Sequence, residues 1–129
     1  MKINRTPEQA YCHCVRNGRN EKLEKIILTD PEYAYLYAQD IIKGRWIEAE
    51  NIIATDPEWA CEYALYVIKG RWTEAENTIS THSECAYRYA QDVIEGKLPE
   101  LMHNMMLLHA DYYAKRYFEF INKLTPAVH

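Results

Sequence analysis

Hydrophobic residues recur along this chain at the spacing of one helical face, and that face appears three times. Its first occurrence consists of Ala34, Tyr37, Ala38 and Ile41. These stand at i, i+3, i+4 and i+7, so they share one side of an α-helix. Equivalent residues follow at offsets of 26, within residues 60–67 and 86–93. The pattern predicts three equivalent amphipathic helices.

Each of these helices, called helix A, is bounded by start and stop signals. Asp30 and Asp56 each precede a proline, the arrangement of an N-cap followed by the first helical position. A glycine ends each copy at the same phase: Gly44, Gly70 and Gly96. We expect these glycines to adopt the left-handed conformation that ends helices. Helix A is then predicted at 31–43, 57–69 and 83–95.

A second helix, called helix B, is predicted after each glycine, at 45–55 and 71–81. Trp46, Ala49 and Ile53 lie at i, i+3 and i+7, and matching residues occur 26 positions later. Each unit is therefore a hairpin of two short helices. Isolated helices shorter than about 12–15 residues are marginal in water, so each unit must bury its apolar faces against the next.

The period predicts an all-α fold, a solenoid-like stack of short antiparallel hairpins with about nine helices in a single domain, residues 1–129. Thr6 and Pro7 begin a shortened end unit, and Leu101, Met105 and Leu108 supply the predicted buried stripe of the last helix B. The predicted segments are an end unit 7–29, repeats 30–55, 56–81 and 82–109, a capping helix 110–124 and a tail 125–129.

The core of the unit, AYxYAxxVIKGRWxEAE, resembles a tyrosine- and tryptophan-rich helical repeat found in open reading frames of bacteriophages and bacteria. The match is close over residues 34–50 and 60–76 and partial over 86–96. The resemblance implies a helical array in a phage or prophage setting, and it supplies no catalytic residue.

Composition narrows the classes of function. The net charge is -4, which argues against a protein that binds the nucleic-acid backbone. No apolar run approaches the roughly 20 residues of a membrane span, and the polar start of the chain has no apolar signal core. We therefore expect no membrane partner, a cytoplasmic location and four reduced cysteines. The resemblance implies that the cell is a bacterial host.

Four groups of residues were considered for chemistry. Cys12, His13 and Cys14 suggest a metal site, but residues two apart on a helix point away from each other. His82 and Cys85 could share a face, yet they offer only two ligands.

The acids on helix B are predicted to form a solvated face: Glu48, Glu50, Glu74 and Glu76. Lys–Gly–Arg turns at 43–45 and 69–71 are predicted to pair with nearby acids; an anion-binding rim is the alternative. No enzyme, catalytic residue, cofactor or metal site is expected.

Positions that differ between the copies indicate a surface for partners. Residues free to vary between packed repeats are normally exposed, and such scaffolds bind through them. The candidate partner-binding residues are Tyr33, Leu36, Asp40, Trp59, Glu62, Tyr66, Tyr87, Arg88 and Asp92. Aromatic residues are favoured anchors at interfaces, although Tyr33 and Trp59 have the alternative of packing between layers.

These observations lead to a non-enzymatic, protein-binding helical repeat module. With the phage-like resemblance, we expect an inhibitor directed at a bacterial host or defence protein. The alternative is a protein that interferes with nucleic acid, through charge mimicry or the Lys/Arg turns. A small enzyme or metal protein and a homodimer through residues 102–108 also remain open.

Overall fold

The computed structural model describes residues 5–124, which form nine α-helices and no strand. The helices are α1 Pro7–Asn17, α2 Glu21–Ile27, α3 Pro31–Tyr37, α4 Glu50–Ile53, α5 Pro57–Tyr63, α6 Glu76–Ile79, α7 Ser83–Tyr89, α8 Glu100–His109 and α9 Tyr112–Leu124. The predicted tail, 125–129, lies outside the described residues. The all-α class and the number of helices are as predicted.

The predicted caps begin the first helix of three units. Thr6 forms a capping box with Gln9, in which each side chain accepts from the other residue's backbone N–H. Asp30 Oδ1 accepts from the N–H groups of Glu32 and Tyr33 at 2.9 and 3.2 Å, and Asp56 repeats this geometry on α5. These bonds satisfy N–H groups that have no partner within the helix.

Helix A ends differently from the prediction, because the left-handed residue precedes each glycine. Lys43, Lys69 and Glu95 have φ of 62°, 60° and 59°, whereas the glycine that follows each of them is not left-handed. The cause is a final π-helical turn, Ala38–Ile42 in the first full unit, which shifts the hydrogen bonding by one residue. The N–H of Lys43 bonds to the carbonyl of Ala38 at 2.7 Å, five residues back. The equivalent turns are Ala64–Ile68 and Ala90–Ile94.

Gly70→Ala tests this correction. A Cβ added at Gly70 would meet no heavy atom within 4 Å, apart from its neighbours in the chain. The φ of Gly70 also lies outside the left-handed region, so an alanine is not strained there. Because alanine restricts the unfolded chain more than glycine does, we expect the free energy of unfolding to stay unchanged or to rise by up to about 1 kcal/mol. Urea unfolding measures it. A loss of about 1 kcal/mol or more would instead favour a left-handed glycine.

Helix B is shorter than predicted. A 3₁₀ turn, Ile47–Ala49, leads into the four residues of α4, and Thr73–Ala75 leads into α6 in the same way. The tryptophans lie before these turns in a non-helical conformation, with φ of -117° at Trp46 and -126° at Trp72. They are nevertheless 3% and 2% exposed. Their indoles therefore enter the core from the segment that connects the two helices.

Each helix A packs against the helix A of the next unit, in the order α1, α3, α5, α7 and α9. The tyrosines of the predicted stripe, Tyr37, Tyr63 and Tyr89, are fully buried, and Tyr117 of α9 is their fourth equivalent. Buried alanines on both sides of Tyr37, Tyr63 and Tyr89 allow the neighbouring helices to approach closely. Helix B contributes further buried side chains to the core, chiefly Ile27, Ile53 and Ile79.

The predicted stripe of α8 is wrong. Leu101 and Leu108 are 69% and 77% exposed, whereas Met102 and Met106 are buried. The reason is Leu98, which occupies the repeat position of Trp72 and is itself buried. Burial of Leu98 places the residues four and eight positions later on the core side of α8. None of the helices within residues 5–124 is long and apolar enough to span a membrane.

Candidate functional site

Consecutive units are joined by a buried polar cluster that the sequence analysis missed. The Tyr63 hydroxyl on α5 donates to Glu50 Oε2 of the preceding helix B at 2.7 Å, and it accepts from the Trp46 N–H at 2.8 Å. Arg45 Nε and Nη2 donate to the two carboxylate oxygens of Glu50, both at 2.8 Å. One phenol and one bidentate ion pair thus hold the start of helix B against the next helix A.

The same cluster occurs three times. Its members are Arg19, Glu24 and Tyr37; Arg45, Glu50 and Tyr63; and Arg71, Glu76 and Tyr89. The glutamate side chains are only 10–14% exposed, while the arginines are 46–54% exposed at the outer edge. We call each of these an Arg–Glu–Tyr cluster.

Burial and charge set the protonation of these groups. Burial, together with the hydrogen bond to a glutamate, raises the pKa of Tyr37, Tyr63 and Tyr89, so the phenols stay neutral donors. Burial acts to raise the pKa of Glu24, but hydrogen bonds from Arg19 and Tyr37 outweigh it and lower the pKa. In the cluster of Arg19, Glu24 and Tyr37, a neutral phenol donating to an ionised carboxylate is therefore the stable arrangement.

These contacts correct one prediction about charged residues and confirm another. Glu50 and Glu76 were predicted to lie on a solvated face, yet both are held by an arginine and a tyrosine. The arginines of the Lys–Gly–Arg turns pair with nearby acids as predicted, because Arg45 and Arg71 bind Glu50 and Glu76. The alternative, an anion-binding rim, would have to break these pairs. The sequence does contain a signal for the Arg–Glu–Tyr cluster. An arginine is followed by a glutamate five residues later and by a tyrosine thirteen residues after that, and this spacing repeats at the offset of 26.

In the last unit a histidine replaces the glutamate. The Tyr117 hydroxyl accepts from the Leu98 N–H at 3.0 Å and lies 2.7 Å from His103 Nδ1. The phenol proton can be donated to Nδ1 only when this nitrogen is unprotonated. Burial, with a smaller contribution from Lys97, lowers the pKa of His103, which favours that neutral form.

His103 is therefore expected to make stability depend on pH. Its pKa is lower in the folded state than the unfolded value of about 6.5. Its contribution is complete above that value and is lost as the pH falls toward the folded pKa, because the unfolded chain binds more protons. Urea unfolding between pH 7.5 and 5 should show a smaller loss for His103→Gln, which accepts from Tyr117 without titrating. Equal losses in the two proteins would contradict this role.

Most aromatic candidates for partner binding lie between the units instead. Trp59 stacks on Tyr35 with ring centroids 5.7 Å apart. Tyr33 contacts the ring of Tyr11 at 5.7 Å and donates to Glu8 Oε2 at 3.1 Å. Tyr87 likewise packs against two aromatic rings of α9. The packing alternative weighed for Tyr33 and Trp59 is confirmed.

The other candidates form two rows, one across α3, α5 and α7 and one across the π-helical turns that follow these helices. We call them the A-helix face: Leu36, Glu62 and Arg88 in one row, and Asp40, Tyr66 and Asp92 in the other. Arg88 Nη1 donates to Glu62 Oε1 at 2.6 Å, which pins neighbouring units within the face. The second row is exposed throughout, and Tyr66 is 47% exposed at its centre.

A second exposed surface was not predicted in this form. Leu101, Leu107 and Leu108 of α8 and Tyr112 of α9 are 58–77% exposed. An apolar cluster of this kind is typical of interaction sites. The sequence signal was the apolar 102–108 segment, but the side of α8 that faces solvent depended on where Leu98 is buried.

The cysteine and histidine motif does not assemble into a site. Cys12 is exposed and Cys14 is buried, as expected for side chains two residues apart on α1. Within residues 5–124 no group of three or more histidine, cysteine, aspartate or glutamate side chains is placed to hold a metal ion.

The class that the described residues define is an all-α protein whose short helical hairpins repeat at 26 residues. Beyond that class, the chain matches no protein-family model, no curated protein and no solved structure.

Proposed function

We propose that this protein is a non-enzymatic binding module that recognises another protein through the A-helix face. The observation that supports it is the contrast between constant and variable positions. Tyr37, Tyr63 and Tyr89 are identical and buried, whereas Asp40, Tyr66 and Asp92 occupy equivalent positions and are exposed. A solenoid-like stack would present such positions as one continuous surface.

The face defines the chemistry of its partner. Tyr66 offers an aromatic anchor in the middle of a row, and Asp40 and Asp92 lie on the helices to either side. Neighbouring helices pack about 8–10 Å apart, so the two carboxylates are separated by roughly 16–20 Å. A complementary surface would hold an apolar recess between two basic residues at that separation. A phage-like setting favours a bacterial host or defence protein as its owner.

The test is a pull-down from bacterial lysate with three baits: the wild-type protein, Tyr66→Ala and Asn77→Ala. Asn77 is exposed on α6, on helix B rather than on the A-helix face, and serves as the matched control. We expect one stoichiometric protein with the wild type and Asn77→Ala, and at least a tenfold loss with Tyr66→Ala. Equal recovery with all three baits would contradict recognition through Tyr66.

Self-association through α8 is the second candidate, favoured by the exposed Leu101 and Leu108. These residues are seven positions apart and so share one side of the helix. Light scattering at increasing concentration should show a dimer that Leu108→Glu abolishes. A monomer at all concentrations, in both proteins, would eliminate this candidate.

Nucleic-acid interference gains no support from the turns. Arg45 and Arg71, two of the basic residues in the turns that this alternative invoked, are engaged by Glu50 and Glu76. Breaking these bidentate pairs to bind phosphate would cost the hydrogen bonds that join the units. We therefore favour the protein partner.

A further inference from the structure

Two buried thiols from neighbouring units meet between α5 and α7. Cys61 is fully buried and Cys85 is 3% exposed. The Cys61 thiol donates to the carbonyl oxygen of Cys85, with Sγ and O 3.4 Å apart. The two residues are 24 positions apart in the chain, so a bond between them would connect consecutive helices A.

Aromatic rings occupy the equivalent position between the other neighbouring helices A. The equivalent pairs are Tyr11 with Tyr33, Tyr35 with Trp59, and Tyr87 with Tyr113, with centroid distances of 5.7, 5.7 and 6.3 Å. Those pairs hold the layers together by ring packing. Two thiols fill less space than two rings, and they provide a reaction that rings do not. The contact between α5 and α7 thus carries a pair of thiols where the three other contacts carry a pair of rings.

The environment distinguishes the two thiols. The interaction with the Cys61 side chain, aided by the positive charge of Arg88, lowers the pKa of Cys85 against the opposing effect of burial. The interaction with the Cys85 side chain, together with burial, raises the pKa of Cys61. Since the thiolate is the nucleophile, this difference favours Cys85 as the attacking sulfur and Cys61 as the resolving one.

We propose that Cys61 and Cys85 form a dithiol site that a hydroperoxide oxidises to a disulfide between α5 and α7. The Cys85 thiolate attacks one peroxide oxygen, the O–O bond breaks, and protonation of the leaving oxygen gives Cys85 sulfenic acid and water. The Cys61 sulfur then attacks the Cys85 sulfur and the hydroxyl leaves as a second water. In total, two thiols and one hydrogen peroxide give one disulfide and two waters.

The test uses the full chain with Cys12→Ser, because the exposed Cys12 would otherwise form links between molecules. This protein retains three of the four cysteines. After hydrogen peroxide treatment in native buffer, we expect one free thiol, a mass lower by two hydrogens, and a linked peptide pair containing Cys61 and Cys85. The reaction should be slower than oxidation of Cys12 in the wild type, because both thiols are buried.

Thermal unfolding distinguishes a specific disulfide between Cys61 and Cys85 from nonspecific oxidation. The linked protein should gain about 10 °C in Tm, because the bond closes a loop of about 24 residues in the unfolded chain. Cys61→Ser in the same background should show neither the linked peptides nor the rise in Tm. Oxidation of Cys85 to sulfinic acid without a link, a link through Cys14, or no reaction under conditions that oxidise the urea-unfolded chain would each overturn the proposal.

Discussion

Trp46→Ala should lower the free energy of unfolding by about 3–5 kcal/mol, the cost typical of truncating a large buried aromatic residue. Trp46 is 3% exposed, and its ring lies 4.8 Å from that of Tyr37. The indole N–H is buried and has no hydrogen-bond partner among the described residues. The expected loss therefore comes from ring packing and the cavity left behind.

Ile47→Ala is the matched control for this substitution. Ile47 is the next residue in the chain, but it is 67% exposed. Its truncation should change the free energy of unfolding by no more than about 0.5 kcal/mol. Urea unfolding of the two variants, followed by far-ultraviolet circular dichroism, measures the difference. Similar values for both would mean that the Trp46 ring does not enter the core.

Glu76→Ala should cost about 2–3 kcal/mol, because it leaves the buried Tyr89 hydroxyl without its acceptor and removes a charge-assisted pair. Glu76 accepts from Tyr89 at 2.6 Å and from Arg71 through both carboxylate oxygens at 2.9 Å. Arg71 is half exposed and can be solvated again, so most of the loss arises at the phenol.

Two further variants separate the contributions within this Arg–Glu–Tyr cluster. Glu76→Gln keeps an oxygen for the Tyr89 hydroxyl and loses the charge that binds Arg71, so its cost should be intermediate. Glu74→Ala removes an exposed acid two residues away and should have no measurable effect on urea unfolding. If Glu74→Ala and Glu76→Ala were equally costly, the cluster would not be what joins the units.

Local signals along the chain were sufficient to predict the helical class and most of the core. The spacing of Tyr37 with its flanking alanines, and the caps at Asp30 and Asp56, depend on interactions within a few residues. Such interactions are visible in sequence. They correctly placed the buried face of helix A and the first residue of α3 and α5.

What sequence reasoning missed depends on contacts between units. By its position in the sequence Glu50 belongs to the polar face of helix B, but in the folded protein it accepts a hydrogen bond from Tyr63 of the next unit. The left-handed position moved from Gly44 to Lys43 because a π turn adds one residue before the helix ends. In α8, apolar side chains surround the helix, and periodicity alone could not choose the buried side.

The candidate site was the least predictable part. Variation between copies identifies exposed positions only where no side chain of an adjacent unit contacts them. Asp40 and Tyr66 are exposed as expected, but Asp40 accepts a hydrogen bond from the Tyr11 hydroxyl, Glu62 and Arg88 bind each other, and Trp59 stacks on Tyr35. Contacts between adjacent layers use the same helix surface as the proposed binding face.

Native-state hydrogen exchange at the Trp46 and Trp72 backbone amides tests the central claim, that tyrosine hydroxyls join each unit to the next. Both amides lie before a helix and donate to Tyr63 and Tyr89 at 2.8 and 2.9 Å. We predict protection close to the free energy of global unfolding. Tyr89→Phe should then release Trp72 while Trp46 stays protected. Exchange of both amides at the rate of an unstructured peptide in the wild-type protein would contradict the claim.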